Sequence, residues 1–306
     1  MLRYVIRRLM VTIPVLIGVS IIIFVMMRMV PGDPARQALG PEATGDEVAR
    51  LRHQWGLDKP LPVQYVYWAN RVVHGDFGRS TVSRVPVTTE IWARFPNTLW
   101  LTLASMVVSI IIGLGSGVLS AIRHNSLIDR GSMIFALLGV STPSFWLGLM
   151  LLLLFAVKLG WLPAFGKGGI SHLILPALTL GAGASAIIAR VTRSSMLEVL
   201  NEDYIRTARA KGMAEHGVIL THALKNALIP IITILGLEFG GLLSGAIISE
   251  TVFAYPGVGL LMINSINNRD FPIVQGALLL FTVEFVLVNL LVDVLYAQFD
   301  PRITYS

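Results

Sequence analysis

Long apolar runs alternate with charged and turn-forming stretches along this chain. Crossing a hydrocarbon core of about 30 Å takes roughly 20 apolar residues of helix. Six runs meet that length, at 9–27, 98–122, 132–157, 172–189, 228–249 and 276–297, and are predicted to be transmembrane helices. The first follows Arg3, Arg7 and Arg8, as a secretory signal would. It exceeds the roughly 7–15 apolar residues of such a signal and ends in Met26, Met27 and Arg28 without a small-x-small cleavage site, so a retained anchor is expected.

Two polar stretches between the runs carry patterns of their own. From 30 to 97, a turn-rich start at Pro31-Gly32-Asp33-Pro34 precedes an amphipathic helix expected over 45–55. A second helix is expected through Tyr65, Tyr67, Trp68, Val72 and Val73, closed by the turn-type sequence Gly75-Asp76-Phe77-Gly78. These aromatic residues favour an ordered scaffold on the helix ends over a loose loop. The stretch 192–225 is also expected to be helical, capped at Ser194 or Ser195 and ended by Gly212, with a second short helix from Met213 towards Leu224. Small residues at Thr207, Ala208 and Ala210 allow another surface to approach closely; a basic amphipathic helix lying on lipid headgroups is the alternative. The chain thus divides into a tail and first helix (1–29), a scaffold segment (30–97) and a five-helix core (98–306).

Composition supports lipid as the solvent. The chain is 54% hydrophobic and 14% charged, against about 25% charged residues in soluble domains. Its net charge of +6 is scattered, without the basic stripe and interleaved aromatics of a nucleic-acid reader, and the absence of cysteine excludes disulfides and thiolate metal sites. Short loops rich in Lys and Arg stay cytoplasmic. With both termini inside, that side receives Arg3, Arg7, Arg8, Arg123, Arg130, Arg190, Arg193, Arg206, Arg209, Lys211, Lys225 and Arg302, whereas the short outer loops hold only Lys158, Lys167 and Arg269. Trp100, Trp146 and Trp161 lie near span ends or loops, as interfacial aromatics do, with packing inside the protein an equal reading for Trp146.

Candidate chemistry is sparse. No G-x-x-x-x-G-K-[ST] loop is present; the nearest string, Gly166-Lys167-Gly168-Gly169, lacks the following helix. The histidines lack metal-ligand spacing, and no Ser-His-Asp arrangement stands out. Polar residues inside spans are costly and often functional. Glu238, Glu284 and Asn289 are therefore candidates for a translocation path, with interhelical hydrogen bonding as the other reading and Asp293 near the cytoplasmic boundary. Gly236, Gly240, Gly241 and Gly245 have small-xxx-small spacing, suited to close helix contact within the chain or with a partner.

The stretch Glu202-Asp203-Tyr204-Ile205-Arg206-Thr207-Ala208-Arg209-Ala210-Lys211-Gly212, followed by His222-Ala223-Leu224-Lys225-Asn226-Ala227-Leu228-Ile229-Pro230, closely resembles the EAA loop of ABC importer permeases. It is most similar to the peptide and nickel branch, with Arg206, Thr207 and Ala208 in place of Glu-Ala-Ala and Gly212 at the matching glycine. The motif's first acidic residue is absent, so no role rests on it. Gly32-Asp33-Pro34-Ala35, Gly56-Leu57-Asp58-Lys59-Pro60-Leu61, Gly75-Asp76-Phe77-Gly78 and Glu250-Thr251-Val252-Phe253-Ala254-Tyr255-Pro256-Gly257-Val258-Gly259 extend the resemblance over nearly the whole chain.

The resemblance implies an all-α, polytopic, type I ABC importer permease with six transmembrane helices and a helical extracytoplasmic segment, in a bacterial inner membrane. It implies import of a dipeptide, oligopeptide or glutathione by alternating access, with a nickel or metal-chelate importer as the alternative cargo. Implied partners are a second homologous permease subunit, two cytoplasmic ATPase subunits that carry ATP and magnesium, a periplasmic substrate-binding protein and membrane lipid, with no nucleic acid. No cofactor, metal or catalytic residue is expected in this chain. Asp203, Arg206, Thr207, Ala208, Ala210, Lys211, Gly212, Met213 and Ala214 are implied to form the ATPase-coupling surface. An ion-coupled secondary transporter using Glu238 and Glu284 is the rival of another class; the inverted repeats that would favour it are not visible in the sequence.

Overall fold

A computed structural model describes residues 2–29, 32–40 and 42–299. Pro31 and Arg302 lie outside the described residues, and so do the side chains of Arg3, Arg7 and Asp293. Apart from an isolated antiparallel bridge between Arg79 and Pro86, the regular structure among the described residues is helical. The elements are α1 (Leu2–Met29), α2 (Pro34–Leu39), α3 (Gly45–Gln54), α4 (Leu61–Val73), α5 (Val87–Ile122), α6 (Leu127–Ser141) and α7 (Ser144–Leu151), followed by a π-helical turn (Leu152–Lys158). Then come α8 (Ser171–Leu200), α9 (Asp203–Ala210), α10 (Glu215–Gly217), a second π-helical turn (Val218–Leu224), α11 (Lys225–Val252), α12 (Val258–Asn267) and α13 (Phe271–Phe299).

Five of these helical stretches are long and apolar enough to cross a membrane, and a sixth crossing exists if the bent pair formed by α6 with α7 and its π turn counts as one span. That pair covers the third span expected over 132–157, and its bend was not expected from the sequence. The chain turns by 106° between Ser141 and Ser144. Pro143 lacks an amide hydrogen and disfavours helical geometry in the residue before it, and Thr142 accordingly takes extended angles. Other boundaries move outward. The second span's helix begins at Val87, and α8 continues to Leu200, which leaves Ser194 and Ser195 inside a helix and not at a cap. The helix expected from Met213 towards Leu224 is instead the start of a continuous 38-residue helix, Glu215–Val252.

Between the first two spans, α3 begins with a capping box: Thr44 Oγ1 accepts from Glu47 N, and the Glu47 carboxylate accepts from Thr44 N. On α4, Tyr65 and Trp68 pack on Phe24 of α1, with ring centroids 5.6 and 5.5 Å apart. Gly75 and Gly78, both at positive φ, turn the chain out of α4.

The centre of the bundle is the α5–α8 pair, whose close approach depends on glycine. A side chain at Gly117 would place its first carbon 2.6 Å from Ala189 O and from Thr192 Cβ, and one at Gly181 would lie 2.7 Å from Ser105 O. Ser109 Oγ donates across the same contact to Gly181 O at 2.9 Å. Gly236 and Gly240 likewise sit against Val292 and Phe285 of α13, while space is open beside Gly241. Because backbone cannot move aside as a flexible side chain can, Gly117→Ala is expected to destabilise the purified protein by about 1–3 kcal/mol, the usual range for overpacking a dense core. Thermal unfolding against Gly115→Ala, whose Cβ would meet open space, provides the control.

Candidate functional site

Helix α9 begins after Glu202, which adopts an extended conformation, and closes with Gly212 at a φ of +76°, the left-handed geometry expected of that glycine. Its two faces differ. Ile205 and Ala208 point inward and join Ala121 of α5, Met196 of α8, and Val218, Ala223 and Ile231 of the Glu215–Val252 helix in one core. Asp203, Arg206, Thr207, Ala210, Lys211, Gly212, Met213 and Ala214 are all exposed. Ala208 therefore departs from the other coupling candidates: its small side chain permits close packing inside the chain, not against an outside surface. Tyr204 and Met213 add exposed apolar area beside the charged face, at 42% and 41% exposure.

Polar contacts hold this elbow in shape. Arg206 Nη1 donates to Asp203 Oδ1 at 3.0 Å, and Thr207 Oγ1 to Asp203 O at 3.0 Å. Arg209 reaches past the turn and grips Glu215 with Nη2–Oε1 at 2.7 Å and Nε–Oε2 at 3.2 Å. That hydrogen-bonded carboxylate raises the Arg209 guanidinium above its ordinary value. On α8, Arg193 donates from Nε and Nη2 to the two oxygens of Asp129 at 2.7 and 2.8 Å. Asp129 is 3% exposed and also accepts from Ser120 Oγ on α5 and from Asn125 N at 2.9 Å. One carboxylate thus joins α5, α6 and α8.

The intramembrane candidates share no hydrogen bond with one another among the described residues. Asn289 donates to Phe285 O of its own helix at 2.8 Å, and Glu238 is half-buried with no side-chain hydrogen bond among the described residues. Glu284 is 9% exposed, and neither carboxyl oxygen has a partner among the described residues. A third acid, which sequence reasoning did not single out as a site residue, is the best satisfied. Glu250 is fully buried and accepts from Thr98 Oγ1 at 2.6 Å and from Leu260 N at 3.0 Å. Thr98 Oγ1 in turn accepts from Val258 N at 2.9 Å, and Asn97 Nδ2 donates to Pro256 O at 2.7 Å. An acid placed on the first free amides of α12 fixes where that helix begins. The signal lay in the glycines: a side chain at Gly257 would overlap the Glu250 carboxyl group, so the Pro256-Gly257-Val258-Gly259 string leaves room for that acid.

Comparison with known proteins agrees with this geometry. The pattern of the binding-protein-dependent transport system inner membrane component matches residues 109–305, and the N-terminal pattern of such membrane components matches residues 1–102. The glutathione transport system permease protein GsiC of Escherichia coli strain K12 is 50% identical over 306 residues, covering 100% of both chains. The protein of that description from Salmonella typhi is 49% identical over the same length. Among solved structures, an inward-facing MetNI methionine ABC transporter matches with a TM-score of 0.56 at 21% identity, covering 66% of this chain and 92% of that one. An amino acid ABC transporter with histidines matches with a TM-score of 0.54 at 19% identity, covering 69% and 94%. At those identities the two structures speak for the fold alone.

Proposed function

Since the chain belongs to the family of binding-protein-dependent transport system inner membrane components, we propose that it is the pore-forming permease subunit of an ATP-driven importer for glutathione or a closely similar small peptide. The observation that carries this reading is the full-length 50% identity to a glutathione permease, with no domain unmatched in either chain. A secondary transporter driven by an ion through Glu238 and Glu284 finds no support in a hydrogen bond between them among the described residues.

In this reading the start of the long continuous helix at Glu215 and the basic loops lie on the cytoplasmic side, with both termini inside and the 30–97 segment outside. ATP and magnesium reside on partner ATPase subunits, a homologous permease completes the pore, and a periplasmic binding protein delivers the cargo. The ATPase grips the exposed face of α9. Motion there cannot stay local: Ile205 and Ala208 share a core with the ends of α5, α8 and the Glu215–Val252 helix, so a push on α9 displaces three spans together. Two packed arrangements of those spans, biased by nucleotide on the partner, would suffice for alternating access.

The test is uptake of labelled glutathione into proteoliposomes holding the complete transporter, with and without its binding protein and ATP. Gly212→Val forces a β-branched residue into left-handed geometry at a cost of about 1–2 kcal/mol. Because nothing else crowds Gly212, the chain is expected to insert normally while uptake falls and the ATPase subunits co-purify poorly. Wild-type uptake and co-purification in that variant would refute the coupling role of α9.

A further inference from the structure

Hydrogen-bonding side chains with spare donors meet at one cleft, which faces the outside in the orientation proposed above. The cleft, of about 550 Å3, lies between the last turn of α1, the 30–97 segment and the start of α13. Arg28 lines it from α1, Arg79 from the turn before α5, and Gln275 from α13. Arg28 is half-buried and stands 5.1 Å from the ring of Phe24, with no hydrogen bond and no carboxylate partner among the described residues. Arg79 donates Nη1 to Arg84 O at 3.1 Å and meets no carboxylate among them. The Gln275 side chain is half-buried and makes no hydrogen bond among them. Arg71 and Asp76 also line the cleft but neutralise each other, Nε to Oδ2 at 2.8 Å, and Arg84 already has a partner. The charges of Arg28 and Arg79 are left over. A partly enclosed excess of positive charge concentrates anions.

The walls are tied to one another. A bridge between Arg79 and Pro86 closes the turn, and Ser80 Oγ and Thr81 N, which also line the cleft, donate to Asp270 beside α13, the latter at 3.0 Å. Tyr65 and Trp68 on Phe24 join α4 to α1. A site whose shape is set in advance loses less freedom when it fills. The lining also holds aromatic surface, from Trp55, Tyr67 and Phe77. Small-molecule sites span roughly 300–1,000 Å3 and combine such apolar surface with a few polar groups. An inorganic anion would leave most of this one empty.

We propose that the cleft binds a small anionic peptide of the size of glutathione, at an outer site apart from the path between the spans. Arg28 and Arg79 take carboxylates, which the planar guanidinium matches in geometry. The Gln275 amide, both donor and acceptor, pairs with a peptide group. Glutathione offers carboxylates at its two ends and peptide groups between them. The choice of peptide rests on the importer reading above, whereas the anionic chemistry rests on the cleft alone.

Labelled glutathione is equilibrated with the complete transporter in phosphatidylcholine nanodiscs, without nucleotide or binding protein. Saturable binding is expected on the wild type. Arg79→Gln should weaken it on the order of tenfold, the scale of losing a hydrogen bond to a charged group, and Arg28→Gln with Arg79→Gln should weaken it further. Gln275→Leu should have a smaller effect in the same direction, and the diethyl ester of glutathione, whose carboxylates are masked, should compete poorly. Lys167→Gln, on a different outer loop, should bind as the wild type does. Arg79→Gln alone, at an exposed position, decides the matter if the double variant does not assemble. Unchanged binding in Arg79→Gln overturns the proposal, as does the absence of binding on a wild type that imports glutathione. Displacement by inorganic phosphate as effective as that by unlabelled glutathione overturns it too, because the cleft would then recognise charge without the peptide. Arginine-dependent binding without ATP-driven uptake would support the cleft and count against the importer reading instead.

Discussion

Replacing Asp129 by asparagine is expected to lower the stability of the assembled protein by about 3 kcal/mol, the lower end of the range for breaking a buried ion pair. The lower end applies because the Arg193 side chain keeps 25% of its surface exposed, so water partly compensates the stranded guanidinium. Asparagine preserves the shape but offers one acceptor oxygen, where Asp129 now serves Arg193 twice, Ser120 and Asn125 N. Asn125 sits at a φ of +62°, so the same substitution also releases a strained turn between α5 and α6. Apparent melting temperature in detergent gives the first readout. A double-mutant cycle with Arg193→Gln then separates the pair from the general cost of substitution: the double variant should be less damaged than the sum of the two single variants. Strict additivity would mean that the contact contributes nothing specific. Transport per assembled complex should fall too, since this carboxylate joins helices whose ends form the core under α9.

The Asp129 and Glu250 centres show what a sequence can and cannot reveal in a membrane protein. Apolar run length identified the spans because the bilayer imposes it. It did not mark where the helices end. Helix α8 continues past Ala189 through Arg190, Arg193 and Glu198, and the next long helix starts at Glu215, because a helix needs no lipid to persist once its backbone bonds are made and one side is packed. The bend at Pro143 was hidden for the converse reason: both arms are apolar, and composition reports solvent, not direction. Gly212 was legible as a chain reversal since positive φ has a residue signature. The inward aspect of Ala208 was not, because smallness alone does not say which neighbour comes close. Glu250 was visible only as the first residue of a matching string; its buried role was not, because an acid at the end of an apolar run reads as an interfacial residue. Its hydroxyl partner, Thr98, lies 152 residues away.

That distance makes Glu250 the site of the other large expected effect. In Glu250→Ala, the Leu260 amide and the Thr98 hydroxyl lose their acceptor inside the protein, at about 1–3 kcal/mol for each unsatisfied group. The emptied space adds a cavity penalty, since neighbouring backbone around Gly257 and Gly259 collapses only partially. The combined loss, roughly 4 kcal/mol, is a large share of the stability of an ordinary domain, and little assembled protein should accumulate. Glu250→Gln keeps one acceptor but presents an amide N–H to Thr98 or to Leu260 N, so an intermediate loss is expected. Thr98→Val removes the hydroxyl donor and also the acceptor of Val258 N, so its damage should overlap that of Glu250→Ala instead of adding to it. Amide hydrogen exchange at residues 258–260 provides the local readout: protection there should drop in Glu250→Gln while α5 away from Thr98 stays protected. Wild-type levels, melting temperature and exchange in Glu250→Ala would show that α12 is positioned by its apolar contacts with Val87, Ile91 and Ile273 alone.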